Sequence, residues 1–476
     1  MRIAVVGAGI VGALIARELC RFQVEVLLFE RAPDVGWGVT KANSGIVHGG
    51  FHDEPGTLRA RFCAPGNALF GELSRELDFP FRRTGAWVLA FSRAELSVLE
   101  KLREQGEENG APGLEILPRT EVLAREPHVN TQVVAGLWSP TVGITEPWEI
   151  AIAAVENARE NGLQLHLAEP VIGIELAGGR VMGVRTPRGV YPVDAVVNAA
   201  GLHADRVARM AGLREPQLFP RRGEYVLLDK AASGLVNSVL FPAPRGESKG
   251  ILVLPTVDGG VLLGPTAADL PEGAREATET TASGLAQVAE GARRLIPELP
   301  LRHVIKTFAG LRPESPERDF LLGPTPIEGF YQAAAMRSPG LTAAPAIARW
   351  LAHEVIAPEL GLARKDQFNP FRRGIPHPAE LPPGEWEALI REDPCWGRLV
   401  CFCNRVTEGE IVEAIRRGAR TLDGIKFRTR AGFGRCQGGF CTDKILQILS
   451  RELGVPPEGI SQHGPGSPLV VGRVRP

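Results

Sequence analysis

The sequence has almost no net charge: 54 Lys and Arg stand against 55 Asp and Glu, a formal −1 at pH 7. That balance removes any electrostatic ground for expecting nucleic acid or an anionic membrane surface as a partner. It also lacks a run of 18 or more apolar residues free of charge, so no integral membrane segment is expected, and any membrane contact would be peripheral, through a partner. No tandem repeat or low-complexity tract is present. The opening stretch Met1–Ala16 is apolar, but three regularly spaced glycines followed by Arg17 and Glu18 fit a strand, turn and helix better than an export signal. Cysteine is sparse and odd in number, with Cys20, Cys63 and Cys395 scattered and Cys401, Cys403, Cys436 and Cys441 crowded near the C-terminus. That distribution argues against disulfides and for reduced thiols that bind metal, and a cytoplasmic location follows.

What is present begins with length and apolar content. The 476 residues, 44% of them hydrophobic, can build roughly two to four domains. Arg2–Val6 reads as a short strand, followed at once by Gly7-Ala8-Gly9-Ile10-Val11-Gly12 and by apolar residues at helical spacing through Leu19. A second strand, Val24–Phe29, ends in Glu30. This is the dinucleotide fingerprint with its context intact. Gly7 permits the tight turn, Gly9 lets the backbone approach a pyrophosphate, and Gly12 lets helix and strand pack closely. The helix N-terminus supplies free N–H groups to the anion, and the Glu30 carboxylate can accept from ribose hydroxyls. The fingerprint alone does not separate FAD from NAD.

Four further stretches resemble the D-amino-acid-oxidase-like flavoprotein superfamily, and the resemblance spans about residues 1–375. Thr40-Lys41-Ala42-Asn43-Ser44-Gly45-Ile46-Val47-His48-Gly49-Gly50 is similar to the loop that lies against the flavin. Asn198-Ala199-Ala200-Gly201 resembles the second glycine turn over the nucleotide, and Phe308-Ala309-Gly310-Leu311-Arg312-Pro313 the strand ending beside the isoalloxazine. Ser338-Pro339-Gly340-Leu341-Thr342 resembles the last turn, whose helix N-terminus faces the flavin N1–C2=O end, where reduced flavin carries negative charge. The sequence departs from the commonest pattern at Ala335-Met336, where glycine often precedes that turn. The resemblance implies FAD held by Gly7, Gly9, Gly12, Glu30, Arg31, Lys41, Ser44, Gly45, Ala200, Gly201, Gly310, Gly340, Leu341 and Thr342. No second such nucleotide unit follows residue 30, so NAD is not expected.

In this superfamily a β-rich substrate domain interrupts the Rossmann-like segments. Candidate regions are Phe81–Phe91 and Phe219–Leu311, with strands at Gly223–Leu228, Ile251–Leu254 and Gly260–Leu263. Oxidising an alcohol at a flavin requires a base for the hydroxyl proton and a cation for the substrate anion. His48 is the candidate base, with His52 a second, because imidazole titrates near neutral pH. Arg312 is the candidate anion clamp, its planar fork suiting carboxylate or phosphate, and Arg337 lies where it can assist. Cys63 reads as a packed thiol. Arg222-Gly223-Glu224-Tyr225 and Gly264-Pro265-Thr266 resemble segments of dehydrogenases acting on 2-hydroxy acids and glycerol 3-phosphate. The whole length is most similar to the anaerobic-type glycerol-3-phosphate dehydrogenase large subunit. In those enzymes an arginine that helps hold the phosphate commonly stands where His52 is. L-2-Hydroxyglutarate, another 2-hydroxy acid or an amino acid therefore remains an open substrate.

Near the C-terminus come Cys401-Phe402-Cys403, 32 further residues, and Cys436-Gln437-Gly438-Gly439-Phe440-Cys441. Two cysteines two apart in extended chain present both thiols to one side. Thr407 with Glu410 predicts a capping box opening a helix over Ile411–Arg417, with Gly418 as its stop and a second helix from Thr442. This spacing resembles the bacterioferritin-associated-ferredoxin module, which implies a [2Fe-2S] cluster on the four cysteines. A structural four-cysteine zinc site in a non-catalytic flavoprotein scaffold is the alternative.

The expected fold is α/β: a Rossmann-like FAD-binding domain interrupted by a β-rich substrate domain, plus a small helical iron–sulfur domain. The expected layout is an oxidoreductase over 1–370, with FAD-binding segments at about 1–75, 145–213 and 318–365 and a substrate domain at about 76–144 and 214–317. A linker over 371–394, an iron–sulfur domain over 395–455 and a tail over 456–476 follow. Electrons from a small anionic substrate would then leave through the cluster to an acceptor protein or subunit, in keeping with a hetero-oligomer.

Overall fold

The structure, a computed structural model, describes residues 1–244 and 249–472. The chain divides into two units, one comprising Met1–Glu30 with Gly36–Arg372, the other joining Arg31–Val35 to the chain from Arg373 onward.

In the first unit, a six-stranded sheet runs in the order Leu321–Pro324, Phe330–Ala334, Ala195–Asn198, Arg2–Val6, Glu25–Phe29, Gln164–His166. Five strands are parallel and the Leu321–Pro324 edge is antiparallel. The central strands are unbroken apolar runs because both faces are covered, as parallel sheets require. Ala4, Val6, Leu27, Phe29, Val196 and Phe330 form one buried cluster on this sheet. The helix Ile10–Leu19, buried along its whole length, starts directly behind the first strand. This order places the C-terminal ends of Arg2–Val6, Glu25–Phe29 and Ala195–Asn198 side by side, where a nucleotide can lie across them.

A nine-stranded sheet forms the second layer of this unit. Its backbone is Phe219–Leu228 paired along its length with Val304–Glu314, extended by Val261–Gly264, Leu252–Pro255, Val239–Pro242 and Ala86–Ala90. The strands expected at Gly223–Leu228, Ile251–Leu254 and Gly260–Leu263 occur here with small shifts. Helices that the sequence reading did not single out, Leu58–Leu77, Leu96–Glu108 and Ala282–Leu295, occur within and between these segments.

The second unit holds three helices, Glu408–Arg416, Leu422–Thr429 and Thr442–Leu453, around a core that includes Ile411, Ile415, Ile425, Ile445 and Leu449. The capping box of Thr407 and Glu410 is formed, so the first of these helices begins at Glu408, three residues earlier than expected. Two features differ from the linker and tail expected at 371–394 and 456–476. Pro383–Glu392 is a helix, with proline in its first turn where no N–H bond is lost. Ile460 is buried in the module's core and Ser461 bridges Pro468, so the described part of the tail is folded. Arg31–Val35 belongs to this unit through Asp34, whose carboxylate receives two bonds from Arg428, at 2.5 and 2.7 Å. Among the described residues no helix is long and apolar enough to cross a membrane.

Candidate active site and cysteine centre

The glycine fingerprint forms a cradle without room for side chains. Gly7 has φ +103°, and a Cβ there would stand 2.5 Å from the Ala199 carbonyl of the second turn. A Cβ on Gly12 would stand 1.9 Å from the Gly7 carbonyl oxygen. Gly9 caps the helix Ile10–Leu19 through its backbone, with no side-chain cap, and the first-turn Ile10 N–H donates to Thr40 Oγ1 at 3.1 Å. Glu30 accepts a 2.8 Å bond from Ala8 N, so its carboxylate also braces the turn. Gly12→Ala is expected to force these backbones apart, destabilising the protein by about 1–3 kcal/mol and lowering its flavin content. Thermal denaturation and flavin released per chain test this; an unchanged flavin content would contradict the close-packing role.

The other expected flavin contacts gather around the same sheet ends. Gly310 approaches Ala42 so closely that a Cβ would lie 1.9 Å from the Ala42 oxygen, which brings the strand Val304–Glu314 against the 40–50 loop. Gly45, at φ +68°, is held by Asn43 Oδ1 and by Thr145 N. Ser44 and Ala200 are part-exposed beside these turns, and Gly201 adopts φ +56° with open space where a Cβ would go. Lys41 places its Nζ 3.2 Å from the Trp37 ring centroid. Arg31 is exposed and belongs to the second unit by its contacts. The helix Gly340–Trp350 starts at the last turn, with no side chain capping its N-terminus. Ala335, just before that turn, is left-handed at φ +57°, the conformation for which glycine is commonly used.

His48 sits where the loop meets that helix. Its backbone N donates to Thr342 Oγ1 at 2.8 Å and its carbonyl accepts from Asn67 Nδ2 at 2.9 Å. Asn67 is in turn held by Arg83 Nη1. The residue is 8% exposed, with Nε2 3.2 Å from Ser338 Oγ, and Nδ1 has no hydrogen-bond partner among the described residues. Burial, reinforced by Lys249, holds the His48 imidazole well below its ordinary pKa, so the ring is neutral. His52 packs its ring against Phe51 and Phe241, 6.2 Å from His48, and is depressed by the same causes and by His48 itself.

Next to the histidines lies a set of linked cations: Lys249 acts on both rings, Arg337 on Lys249, and Arg312 on Arg337. Arg337 pairs with Glu314 at 3.0 Å, and Arg312 Nη2 donates to the Thr266 carbonyl at 2.8 Å. The two segments singled out in the sequence meet at Arg312. Glu224 N donates to Thr266 Oγ1, a Cβ on Gly223 would touch Pro265, and Tyr225 lies close enough to affect the guanidinium. Burial lowers the pKa of both arginines. Lys249 was not anticipated. Its Nζ is buried without a hydrogen-bond partner among the described residues, close enough to affect both histidines, and its pKa is lowered by burial against the opposing pull of Asp53 and Cys63. Burial outweighs the pull of Asp53, so this unbonded ammonium beside two neutral imidazoles is costly unless a further anion joins it.

In the second unit the four cysteines form two pairs. Cys403 and Cys436 sulfurs are 3.5 Å apart, and Cys401 shares a side-chain hydrogen bond with Cys441. That bond, with N–H groups of Gly432, Asn404 and Cys403, lowers Cys401 to about 6, and it raises Cys441, which keeps the shared proton. Among the described residues no three His, Cys, Asp or Glu side chains converge as a single-ion site. Two thiol pairs suit a two-iron cluster, in which each iron takes two thiolates, and the donated N–H groups stabilise the thiolate charge.

Residues 2–354 match the family described as FAD dependent oxidoreductase, and residues 399–451 the BFD-like [2Fe-2S] binding domain. A glycerol 3-phosphate dehydrogenase of Caloramator mitchellensis is 43% identical over 475 residues, 99% of this chain and 98% of that one. Human mitochondrial L-2-hydroxyglutarate dehydrogenase is 28% identical, over 67% of this chain and 78% of that one. Among solved structures, the dithionite-reduced L-α-glycerophosphate oxidase of Mycoplasma pneumoniae with FAD bound is similar at TM-score 0.72 and 29% identity, covering 78% of this chain and 98% of that one.

Proposed function

Because this chain belongs to the FAD-dependent oxidoreductase family and carries a BFD-like [2Fe-2S] domain, we propose that it oxidises glycerol 3-phosphate to dihydroxyacetone phosphate and delivers the electrons to a separate acceptor. The observation that carries the substrate is the buried Lys249 ammonium beside neutral His48, with Arg337 and Arg312 close by. Such a set fits a small alcohol bearing a dianion.

FAD, when bound, supplies the hydride acceptor, and the cluster supplies single-electron transfer to the acceptor. The protein's own residues do the rest. The glycine turns hold the pyrophosphate, and the open N-terminus of Gly340–Trp350 favours negative charge at the flavin. Lys249 and the arginines fix the phosphate, which excludes water from their charges and orients the carbinol carbon. His48 takes the hydroxyl proton at Nε2, the nitrogen that the Ser338 hydroxyl engages. Thr342 and Asn67 hold the His48 backbone on both sides, so the ring keeps its aim. His52, where related enzymes commonly carry a phosphate-holding arginine, is the observation favouring an L-2-hydroxyglutarate dehydrogenase instead. Lys249 answers it by bringing a cation from another segment. The acceptor is a protein or subunit, the location cytoplasmic, and any membrane association passes through that partner.

Anaerobic mixing with glycerol 3-phosphate is expected to bleach the oxidised flavin absorbance, whereas L-2-hydroxyglutarate leaves it unchanged. Bleaching by the hydroxy acid alone would transfer the assignment to the second reading. Lys249→Met is expected to lower kcat/KM about 10- to 100-fold, the loss of one charged hydrogen bond, chiefly through KM.

The pH dependence follows from His48. A base with a lowered pKa stays unprotonated below the ordinary imidazole value of about 6.5. Flavin reduction therefore holds as pH falls past that value and is lost only through the lowered one. Lys249→Met removes a cation that disfavours imidazolium, so the acid limb moves up in that variant. A limb that stays in place would separate Lys249 from His48.

A further inference from the structure

Resting on the reading that electrons leave through the cysteine module, the geometry points to the face of this module around Phe402 and Phe440 as the docking surface for a small acidic electron-carrier protein. Phe440 is 80% exposed and Phe402 64%, among the most exposed large apolar side chains of the described residues. Each lies directly beside a cysteine of the cluster set: Phe402 between Cys401 and Cys403, and Phe440 next to Cys441. Cys403 is itself exposed, so the redox centre reaches the surface at this face. Aromatic residues are unfavourable in water and are enriched where proteins meet. Two exposed rings, each beside a ligand cysteine, have no use in the module's own core, which is built from other residues.

The charge around them has one sign. From Lys426 to Lys444 the sequence carries five basic residues and a single acid, Asp443. Arg428 is used internally, bonded to the Asp34 carboxylate. The others lie in the stretch that carries Cys436 and Cys441. Lys444 Nζ stands 5.2 Å from the Phe402 ring centroid, exposed Arg435 precedes Cys436, and Arg430 stacks on Phe433 with its Cζ 3.7 Å from the ring centroid. Exposed Arg405 follows Cys403 by two residues. A chain with almost no net charge thus concentrates positive charge where its electrons leave. Apolar contact gives proximity and the basic rim steers an acidic partner, the combination that suits a short-lived electron-transfer complex of small area. A basic carrier, a second copy of this equally basic face and an uncharged quinone all fit it less well.

The test uses full-length holoprotein under anaerobic conditions, with flavodoxin as the acidic probe and cytochrome c as the basic one. Calorimetric Kd values are measured at about 50 and 500 mM salt for the wild type, Phe440→Ser and the double variant Arg435→Glu/Lys444→Glu. Flavodoxin is expected to bind the wild type, to weaken by about 10-fold or more at high salt, and to weaken comparably in the double variant. Phe440→Ser should weaken it at both salt concentrations. Cytochrome c should bind better to the double variant than to the wild type. Cluster absorbance and substrate-driven bleaching of the flavin, unchanged in both variants, confirm intact protein. Tighter binding of cytochrome c by the wild type, undetectable flavodoxin binding, or a flavodoxin Kd indifferent to the substitutions overturns the proposal. If substrate fails to reduce the cluster while these Kd shifts appear, the electron path fails and the docking face stands.

Discussion

His48→Asn is expected to slow flavin reduction by glycerol 3-phosphate by about 10²–10⁴-fold, the ordinary contribution of a positioned general base. FAD should stay bound, because the nucleotide cradle is made from glycine turns and the sheet ends. Substrate affinity should change little, because the anion is held by Lys249 and the arginines. His52→Asn is the matched control. Its ring packs against Phe51 and Phe241 and its Nε2 has no hydrogen-bond partner among the described residues, whereas His48 Nε2 stands 3.2 Å from Ser338 Oγ. Its substitution should cost less than about 10-fold. Anaerobic stopped-flow measurement of flavin bleaching, read over a series of substrate concentrations, separates rate from affinity. A larger loss at His52 than at His48 would exchange their roles.

Cys436→Ser is expected to separate the two halves of the reaction. Serine is a poor ligand for iron, so the cluster should be lost or destabilised, and its absorbance with it. Substrate should still bleach the flavin at nearly the wild-type rate, while turnover with a one-electron protein acceptor falls at least about 100-fold. Cys403→Ser should behave alike, since the two sulfurs form one pair at 3.5 Å. Cys395→Ser should leave both halves intact, because Cys395 stands outside both pairs.

The parts legible in the sequence are those whose chemistry is local. Gly7, Gly9 and Gly12 announce a turn because their spacing falls within one strand–turn–helix unit, and at Gly12 the atom a Cβ would strike, the Gly7 carbonyl oxygen, lies within that unit too. Thr407 and Glu410 announce a helix start because both bonds of a capping box lie within four residues. The paired cysteines are legible for the same reason. Helices such as Leu422–Thr429 are not, because their apolar residues do not fall on one clear stripe and the neighbouring core decides their packing. Within the linker expected at 371–394, proline opens the helix Pro383–Glu392 instead of preventing one.

The candidate site divides similarly. His48 and Arg312 stand in segments with recognisable neighbours, so both could be singled out. Lys249 could not, because it comes from a loop with no motif, and its significance lies in burial beside residues two hundred positions away. One compositional hint existed: of the 54 basic residues only eight are lysine, and one of those eight lies against the histidines. The two segments around Glu224 and Thr266 were noted separately. Their meeting at Arg312 depends on the pairing of Phe219–Leu228 with Val304–Glu314, a long-range register that only the folded sheet reveals.

On the reading proposed above, electrons enter at a flavin from a phosphorylated alcohol and leave through the cysteine module of the same chain. Anaerobic titration of the holoprotein with glycerol 3-phosphate, following flavin absorbance together with the low-temperature EPR signal of the cluster, tests it most directly. The flavin is expected to bleach and the signal of a reduced [2Fe-2S] cluster to grow with it. A bleached flavin beside a cluster that stays oxidised until a chemical reductant is added would contradict it.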